Sequence, residues 1–166
     1  MTLLDAPAFN EARYRRNRAL LYSAIGLFVA LFIGGWLISG MPVDWPWNWW
    51  THFRGRMTVN HFLDAVEQDD LQKAYAIWTH DPDWQQHEKQ HINYPFSRFE
   101  EDWSPKSPAN EYGVIRSHKI VAARLSGNVL LMGIRINGLK SNAQFLNYDP
   151  KDHTLGFSPV QLYLGP

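Results

Sequence analysis

Residues 57–78, MTVNHFLDAVEQDDLQKAYAIW, decide the fold of the C-terminal part of this chain. Apolar side chains recur there at the spacing of three and four residues that places them on one face of an α-helix. The pattern occurs twice, at Val59, Phe62, Leu63 and Val66 and again at Leu71, Ala74, Tyr75 and Trp78. Because the acidic EQDD separates the two sets and breaks their phase, the stretch predicts helix, tight break, helix.

The ends of these helices carry their own signals. Asp69 and Gln72 have the spacing of a capping box for the second helix, and Pro82 predicts its end. Downstream, FSRFEEDWSP at 96–105 predicts a short third helix with Ser97 and Glu100 as its capping box.

The remainder of the chain predicts strands. GVIRSHKIVAARL at 113–125 changes phase near 117–119, which predicts a β-bulge, and SGN at 126–128 is typical of a turn. The next strand places Leu130, Met132, Ile134 and Ile136 on one face. SNAQFLNY at 141–148, TLGF at 154–157 and VQLYL at 160–164 complete the set. Helices followed by consecutive strands predict an α+β fold, with about three helices packed on a curved antiparallel sheet of four to five strands.

FLDAVEQDDLQKAYAIW, followed by a short aromatic helix and a run of strands, resembles the NTF2-like (cystatin-like α+β cone) superfamily. It is most similar to small single-pass membrane-anchored bacterial members of unknown function. The resemblance covers about residues 57–164 and implies a cone-shaped α+β domain. Family members include isomerases and dehydratases as well as binding and assembly domains, so the resemblance does not choose a function.

Upstream lies ALLYSAIGLFVALFIGGWLI, residues 19–38, without a charged side chain. Twenty helical residues extend roughly 30 Å, the thickness of the hydrocarbon core, so we expect a transmembrane helix over 19–40. A cleaved signal peptide is the alternative, but its apolar core is shorter and LISGMPVD lacks a small-residue cleavage site. The pattern favours an uncleaved anchor.

The basic residues predict the orientation. Arg13, Arg15, Arg16 and Arg18 precede the apolar segment, whereas only Arg54 and Arg56 follow it. The positive-inside bias therefore predicts a cytoplasmic tail over 1–18. The remainder is expected on the periplasmic side of a bacterial inner membrane, with an exported domain over 57–166.

Residues 41–56 form a linker rich in tryptophan. Indole favours the headgroup layer, and basic side chains can reach lipid phosphates, so we expect this linker to lie at the outer membrane surface. We expect His52 to reach lipid phosphates as well. The interfacial set comprises Trp36, Trp45, Trp47, Trp49, Trp50, Arg54 and Arg56. Two alternatives stay open: packing of some rings into the domain, and aromatic stacking on a sugar.

Other patterns concern partners. Ser23, Gly26, Ala30 and Gly34 form a stripe of small residues that favours packing with another membrane helix or a second copy of this chain. The formal net charge is zero, which gives no support for a nucleic-acid partner. Residues 57–105 carry three basic and ten acidic side chains, and residues 106–166 carry seven and three. No cysteine is present, which excludes disulfides and thiol chemistry.

His87-Glu88-Lys89-Gln90-His91 matches the H-E-x-x-H pattern of zinc hydrolases. On a helix, both histidines could bind zinc and Glu88 could act as general base. However, the segment has no apolar face and lies between two prolines. A zinc hydrolase is therefore a remote alternative, as is adventitious metal binding by His80, His87 and His91.

No catalytic set and no cofactor is predicted. His61 and Asp64 fit a solvated helix face, and the strand residue His118 is expected to point outward. Five aromatic residues form either the core or an open pocket: Phe62, Tyr75, Trp78, Phe99 and Trp103. We therefore expect a membrane-tethered, non-enzymatic interaction or accessory domain, with a small-molecule-binding or isomerase-like pocket as the alternative.

Overall fold

The computed structural model describes residues 10–139 and 143–162. The chain divides into two compact units, Met1–Ile38 and Ser39–Pro166. The first unit contains helix α1, Glu11–Ile38. The second contains helices α2 (Trp49–Glu67), α3 (Leu71–Thr79) and α4 (Phe96–Trp103). Its four strands are β1 (His118–Ser126), β2 (Val129–Ile136), β3 (Ala143–Tyr148) and β4 (Leu155–Phe157).

Helix α1 is long and apolar enough to cross a membrane, and none of its residues is buried. It is 28 residues long and begins eight residues before the expected membrane segment. The Asn10 side chain accepts the Arg13 backbone N–H at 2.9 Å and so caps the helix there. The four arginines therefore lie on the first turns of α1, while residues 1–9 of the expected tail lie outside the described residues.

The predicted helix, break, helix pattern is confirmed, but α2 begins ten residues before Val59, at Trp49. Residues 49–56 are thus helical, whereas we expected a linker. His52 and Gly55 are both buried and extend the apolar face of α2 toward its N-terminus. A histidine and a glycine carry no apolar signal, which is why the sequence pattern did not include this part of the helix.

Both predicted capping boxes are wrong. Asp69 takes a left-handed backbone conformation (φ 58°), and the next residue, Asp70, caps α3 by accepting the Lys73 N–H at 3.1 Å. Helix α4 begins directly after Pro95 without a side-chain cap. Ser97 consequently lies inside α4, two positions too late to cap it.

The sheet is antiparallel with its strands in chain order. The predicted bulge exists, but the register shifts between Ile120 and Ala122, slightly later than expected. Within the described residues, 160–162 of the predicted fifth strand are not in the sheet, and 163–166 lie outside the described residues. The fold is therefore α+β with a four-stranded sheet.

The core lies between the helices and one face of this sheet. Leu130, Met132, Ile134 and Ile136 are fully buried, as their alternation predicted. Helix α2 approaches the sheet closely at Gly55. A Cβ added there would lie 2.7 Å from Leu130 Cδ2 and 2.9 Å from Tyr148 Cδ1, so only glycine fits.

Candidate functional site

The segment that leads into the first two residues of α2 exposes an unusual amount of apolar surface. We call residues 41–50 the tryptophan segment. The Trp45 and Trp47 rings stack in parallel with their centroids 5.1 Å apart. More than half of each side chain is exposed for Met41, Val43, Trp45, Trp47 and Trp50. Several exposed apolar side chains in one short segment are typical of membrane or partner contacts.

Asp44 ties the tryptophan segment to α2. Its Oδ2 lies 2.6 Å from Nε2 of His52, and its backbone carbonyl accepts the Trp49 indole N–H at 3.1 Å. His52 is 1% exposed, so the expectation that it reaches lipid phosphates is wrong. A buried imidazole needs a polar partner, and Asp44 supplies it. Trp49 is only partly exposed, whereas the other three tryptophans of the segment are exposed.

The two arginines of the interfacial set are partly engaged within the domain. Burial raises the pKa of Tyr148, and the positive charge of Arg54 nearby opposes that rise. The Arg56 guanidinium lies against Gly40, and burial lowers the pKa of Arg56. Their contact with lipid stays a prediction, as does that of Trp36, which lies near the end of α1.

The small-residue stripe lies on α1. A Cβ added at Gly26 or Gly34 would meet no atom within 4 Å. Ser23 and Ala30, the other two members of the stripe, are exposed. This side of α1 therefore has room for a second helix at short distance.

The five aromatic residues that could have lined an open pocket fill the interior instead. Each is at most 5% exposed. The Phe62 ring lies 5.2 Å from that of Trp78 and 4.9 Å from that of Trp103, at the inclined angles that aromatic pairs favour. Tyr75 and Phe99 pack at 5.1 Å, and the Tyr75 hydroxyl donates to the Tyr94 carbonyl at 2.7 Å.

A pocket on the surface does lie beside this cluster. Its volume is about 480 Å³, and Tyr75, Trp84, Ile92 and Phe96 supply its apolar lining. Glu88 and His91 line it as well. The size falls in the range of small-molecule sites.

The H-E-x-x-H string does not form the helix that a zinc hydrolase requires. Its three central residues form one short 3-10 turn, Glu88–Gln90, and His87 and His91 flank that turn. Nδ1 of His87 and Nε2 of His91 lie 2.9 and 3.1 Å from one atom, Asp81 Oδ2. The hydrogen bond from His91, followed by that from His87, lowers the pKa of Asp81.

His80 does not join the other two histidines of the expected metal set. It ends α3 in a left-handed conformation, and its ring lies 5.2 Å from that of His153. The expected set of His80, His87 and His91 is therefore not assembled. Asp81, the residue after His80, contacts His87 and His91 instead.

A second histidine cluster joins α2 to β1. His118 Nδ1 lies 2.6 Å from Glu67 Oε1, and His118 Nε2 lies 3.3 Å from Asn60 Oδ1. The expectation that His118 points outward is wrong. Asn60, Asp64 and Glu67 are spaced four and three residues apart, which places them on one face of a helix. The sequence therefore indicated a row of polar side chains on α2. The sequence did not show which strand residue faces that row, because the bulge shifts the register of β1.

This cluster borders a surface pocket of about 450 Å³. Asn60, Asp64 and His118 line it together with Arg56 and Lys119. Asp64 is exposed, as is His61 on the same helix. The cluster thus joins carboxylate, imidazole and carboxamide groups at an accessible surface.

No protein-family model matches this chain, and no curated protein or solved structure is significantly similar to it. The resemblance to the NTF2-like superfamily therefore stays a prediction.

Proposed function

We propose that this chain is a single-pass bacterial inner-membrane protein that holds an interaction domain at the periplasmic surface. In this proposal α1 crosses the bilayer with its arginines in the cytoplasm. The domain built from α2 to β4 binds within a larger membrane assembly and carries out no chemistry of its own.

One observation carries the proposal: a helix without a single buried residue is followed within a few residues by exposed, stacked tryptophans. Transmembrane helices commonly end in such aromatic residues because indole favours the headgroup layer. Asp44 ties the segment that carries these rings to α2 through Trp49 and His52. The tryptophan segment would therefore set the height of the domain above the bilayer.

Two further observations favour interaction over a pocket in the core. The aromatic residues available to line such a pocket are packed against one another. The small residues of α1 leave room for another helix. We infer that the span itself contributes to the contact with a membrane partner or a second copy of this chain.

Cysteine labelling tests the orientation, since the chain has no cysteine of its own. Ala12→Cys lies at the start of α1 and Ser97→Cys lies on the exposed side of α4. In intact spheroplasts, a membrane-impermeant maleimide should label Ser97→Cys, and should label Ala12→Cys only after permeabilisation. The opposite pattern would reverse the topology, and labelling of both would argue against a membrane span.

Lipid quenching tests the interfacial position. Full-length protein in vesicles with acyl chains brominated near the headgroup should lose fluorescence. Replacing Trp45 and Trp47 with leucine should reduce the quenched fraction, whereas Trp84→Leu, which removes a buried indole, should not. Equal quenching in all three proteins would contradict an interfacial tryptophan segment.

Co-purification in mild detergent tests the interaction. A partner, or a defined homo-oligomer, should be present at fixed ratio and be lost when Gly26 and Gly34 are both replaced by leucine. Ala24→Leu enlarges one side chain of α1 away from the stripe and serves as the control. A chain that stays monomeric and alone at every detergent concentration would overturn the proposal.

The aromatic surface pocket supports a second candidate function, the binding of a small apolar molecule. Its lining by Tyr75, Trp84 and Phe96 is the observation that favours it. A ligand there would raise the melting temperature of the full-length protein in proportion to its occupancy. Screening apolar compounds against wild-type protein and Ile92→Asp separates binding in this pocket from binding elsewhere.

A further inference from the structure

We propose that Asp64, Glu67 and His118 form a binding site for a divalent transition metal, for which Zn²⁺ is the probe. This site lies on the domain and is independent of the function proposed above. It also differs from the H-E-x-x-H string.

The distances support a shared ion. One ligand atom from each of the three side chains lies within 4.8 Å of the other two. Ligand atoms bound to the same zinc ion, at about 2.0–2.2 Å each, are separated by roughly 4 Å or less. Small side-chain rotations would therefore bring all three onto one ion. In the described part of the chain, this is the one set of histidine and acidic side chains that meets the distance.

The backbone around the site favours a fixed geometry. Asp64 and Glu67 are three residues apart on α2, which places them one above the other on one helix face. His118 is the first residue of β1 and reaches them from the sheet. Ligands that come from a helix and a strand are held more rigidly than ligands on loops.

The surroundings of His118 are those of a metal-binding histidine. Its Nε2 lies 3.3 Å from the amide oxygen of Asn60, while its Nδ1 faces Glu67. Both ring nitrogens thus face acceptor oxygens, and one ring proton can serve only one of them. With a metal ion between Nδ1 and the carboxylates, the ring proton lies on Nε2 and is donated to the amide oxygen of Asn60. This hydrogen bond then orients the ring, as the second partner of a metal-bound histidine commonly does.

Burial and charge indicate how the ion would be coordinated. The side chains of His118 and Glu67 are 11% and 23% exposed, whereas Asp64 is exposed. The ion would therefore lie at the edge of the domain, open to the adjoining pocket. Arg56 and Lys119 line that pocket, which suits water or a small anion as the fourth ligand.

The ligand types point to a transition metal. An imidazole with two carboxylates suits zinc, whereas calcium and magnesium sites are built from oxygen ligands. The other histidine cluster is less suitable. It offers one carboxylate, and both imidazoles already contact the same oxygen of Asp81.

Zinc titration of the full-length protein tests the proposal. Protein in mild detergent is stripped with EDTA and titrated with Zn²⁺ against a fluorescent zinc indicator. We expect one ion per chain and a zinc-dependent rise in melting temperature. Asp64→Asn should weaken binding at least about ten-fold, and Asn60→Ala by about 10- to 100-fold, the effect typical of an outer partner.

Two controls separate this site from others. His61→Ala removes an exposed histidine from the same helix and should leave binding unchanged. His87→Ala combined with His91→Ala removes the H-E-x-x-H ligands and should also leave it unchanged. Absence of zinc binding to the wild-type protein, unchanged binding in Asp64→Asn, or loss in the His87/His91 variant would each overturn the proposal. Since Asp64 is exposed, its variant decides the question even if His118→Ala does not fold.

Discussion

Asp44 Oδ2 lies 2.6 Å from Nε2 of His52 and links the tryptophan segment to the first turn of α2. The imidazole is almost completely buried, whereas the carboxylate is partly exposed. The contact therefore crosses from the surface to the interior of the domain. This hydrogen bond attaches the tryptophan segment to the folded domain.

Replacing Asp44 with alanine should destabilise the domain by about 1–3 kcal/mol, because a buried polar ring loses its partner. Thermal unfolding of the full-length protein, followed by near-ultraviolet circular dichroism, measures the change. Asp152→Ala removes an exposed carboxylate in the β3–β4 connection and is the matched control. Equal stability of the two variants would show that the contact with His52 does not hold the segment.

The close approach of α2 to the sheet leads to a second prediction. Gly55→Ala places a methyl group within 3 Å of Leu130 and Tyr148, and the overpacking should cost about 1–3 kcal/mol. Chemical denaturation of the variant measures this loss. Gly34→Ala adds the same methyl group where nothing lies within 4 Å. If Gly55→Ala proved as stable as wild type, α2 would not pack on the sheet at this distance.

The tryptophans should divide into two classes. Trp47→Ala removes an exposed ring and should change the unfolding free energy of the domain by no more than about 0.5 kcal/mol. Trp103→Ala removes a ring from the core and should cost about 3–5 kcal/mol. Denaturation of both variants in the same detergent provides the comparison. Similar losses would place Trp47 in the core.

The fold was predictable where apolar residues recur at a regular spacing along the chain. The apolar spacing of 59–78 identified α2 and α3, and the alternation in β2 identified its buried face. The start of α2 was missed because its first buried positions are His52 and Gly55. Their role depends on Asp44 and on the surface of the sheet, which are tertiary contacts.

The candidate metal site was missed for a similar reason. Asn60, Asp64 and Glu67 formed a recognisable polar row, but their partner His118 is 51 residues beyond Glu67. Only the pairing of β1 and the packing of α2 show which histidine meets the row. The H-E-x-x-H string was visible in the sequence, yet a local motif does not show whether the chain is helical there.

The two histidines on Asp81 lead to a prediction about pH. Their hydrogen bonds lower the pKa of Asp81, so the folded protein takes up a proton there less readily than the unfolded chain, whose value is about 3.9. The resulting stabilisation is complete above about pH 5. It is lost as the pH falls through 3.9 and then through the lower pKa of the folded state.

Asp81→Asn should therefore flatten the decline of stability between about pH 5 and pH 3, because the titrating group is gone. Melting temperatures of the full-length protein across this range measure the slope. Asp83→Asn removes an exposed carboxylate two residues away that contacts neither histidine, and the decline should then match that of wild type. A slope that stays unchanged in Asp81→Asn would mean that His87 and His91 do not hold the carboxylate in its charged form.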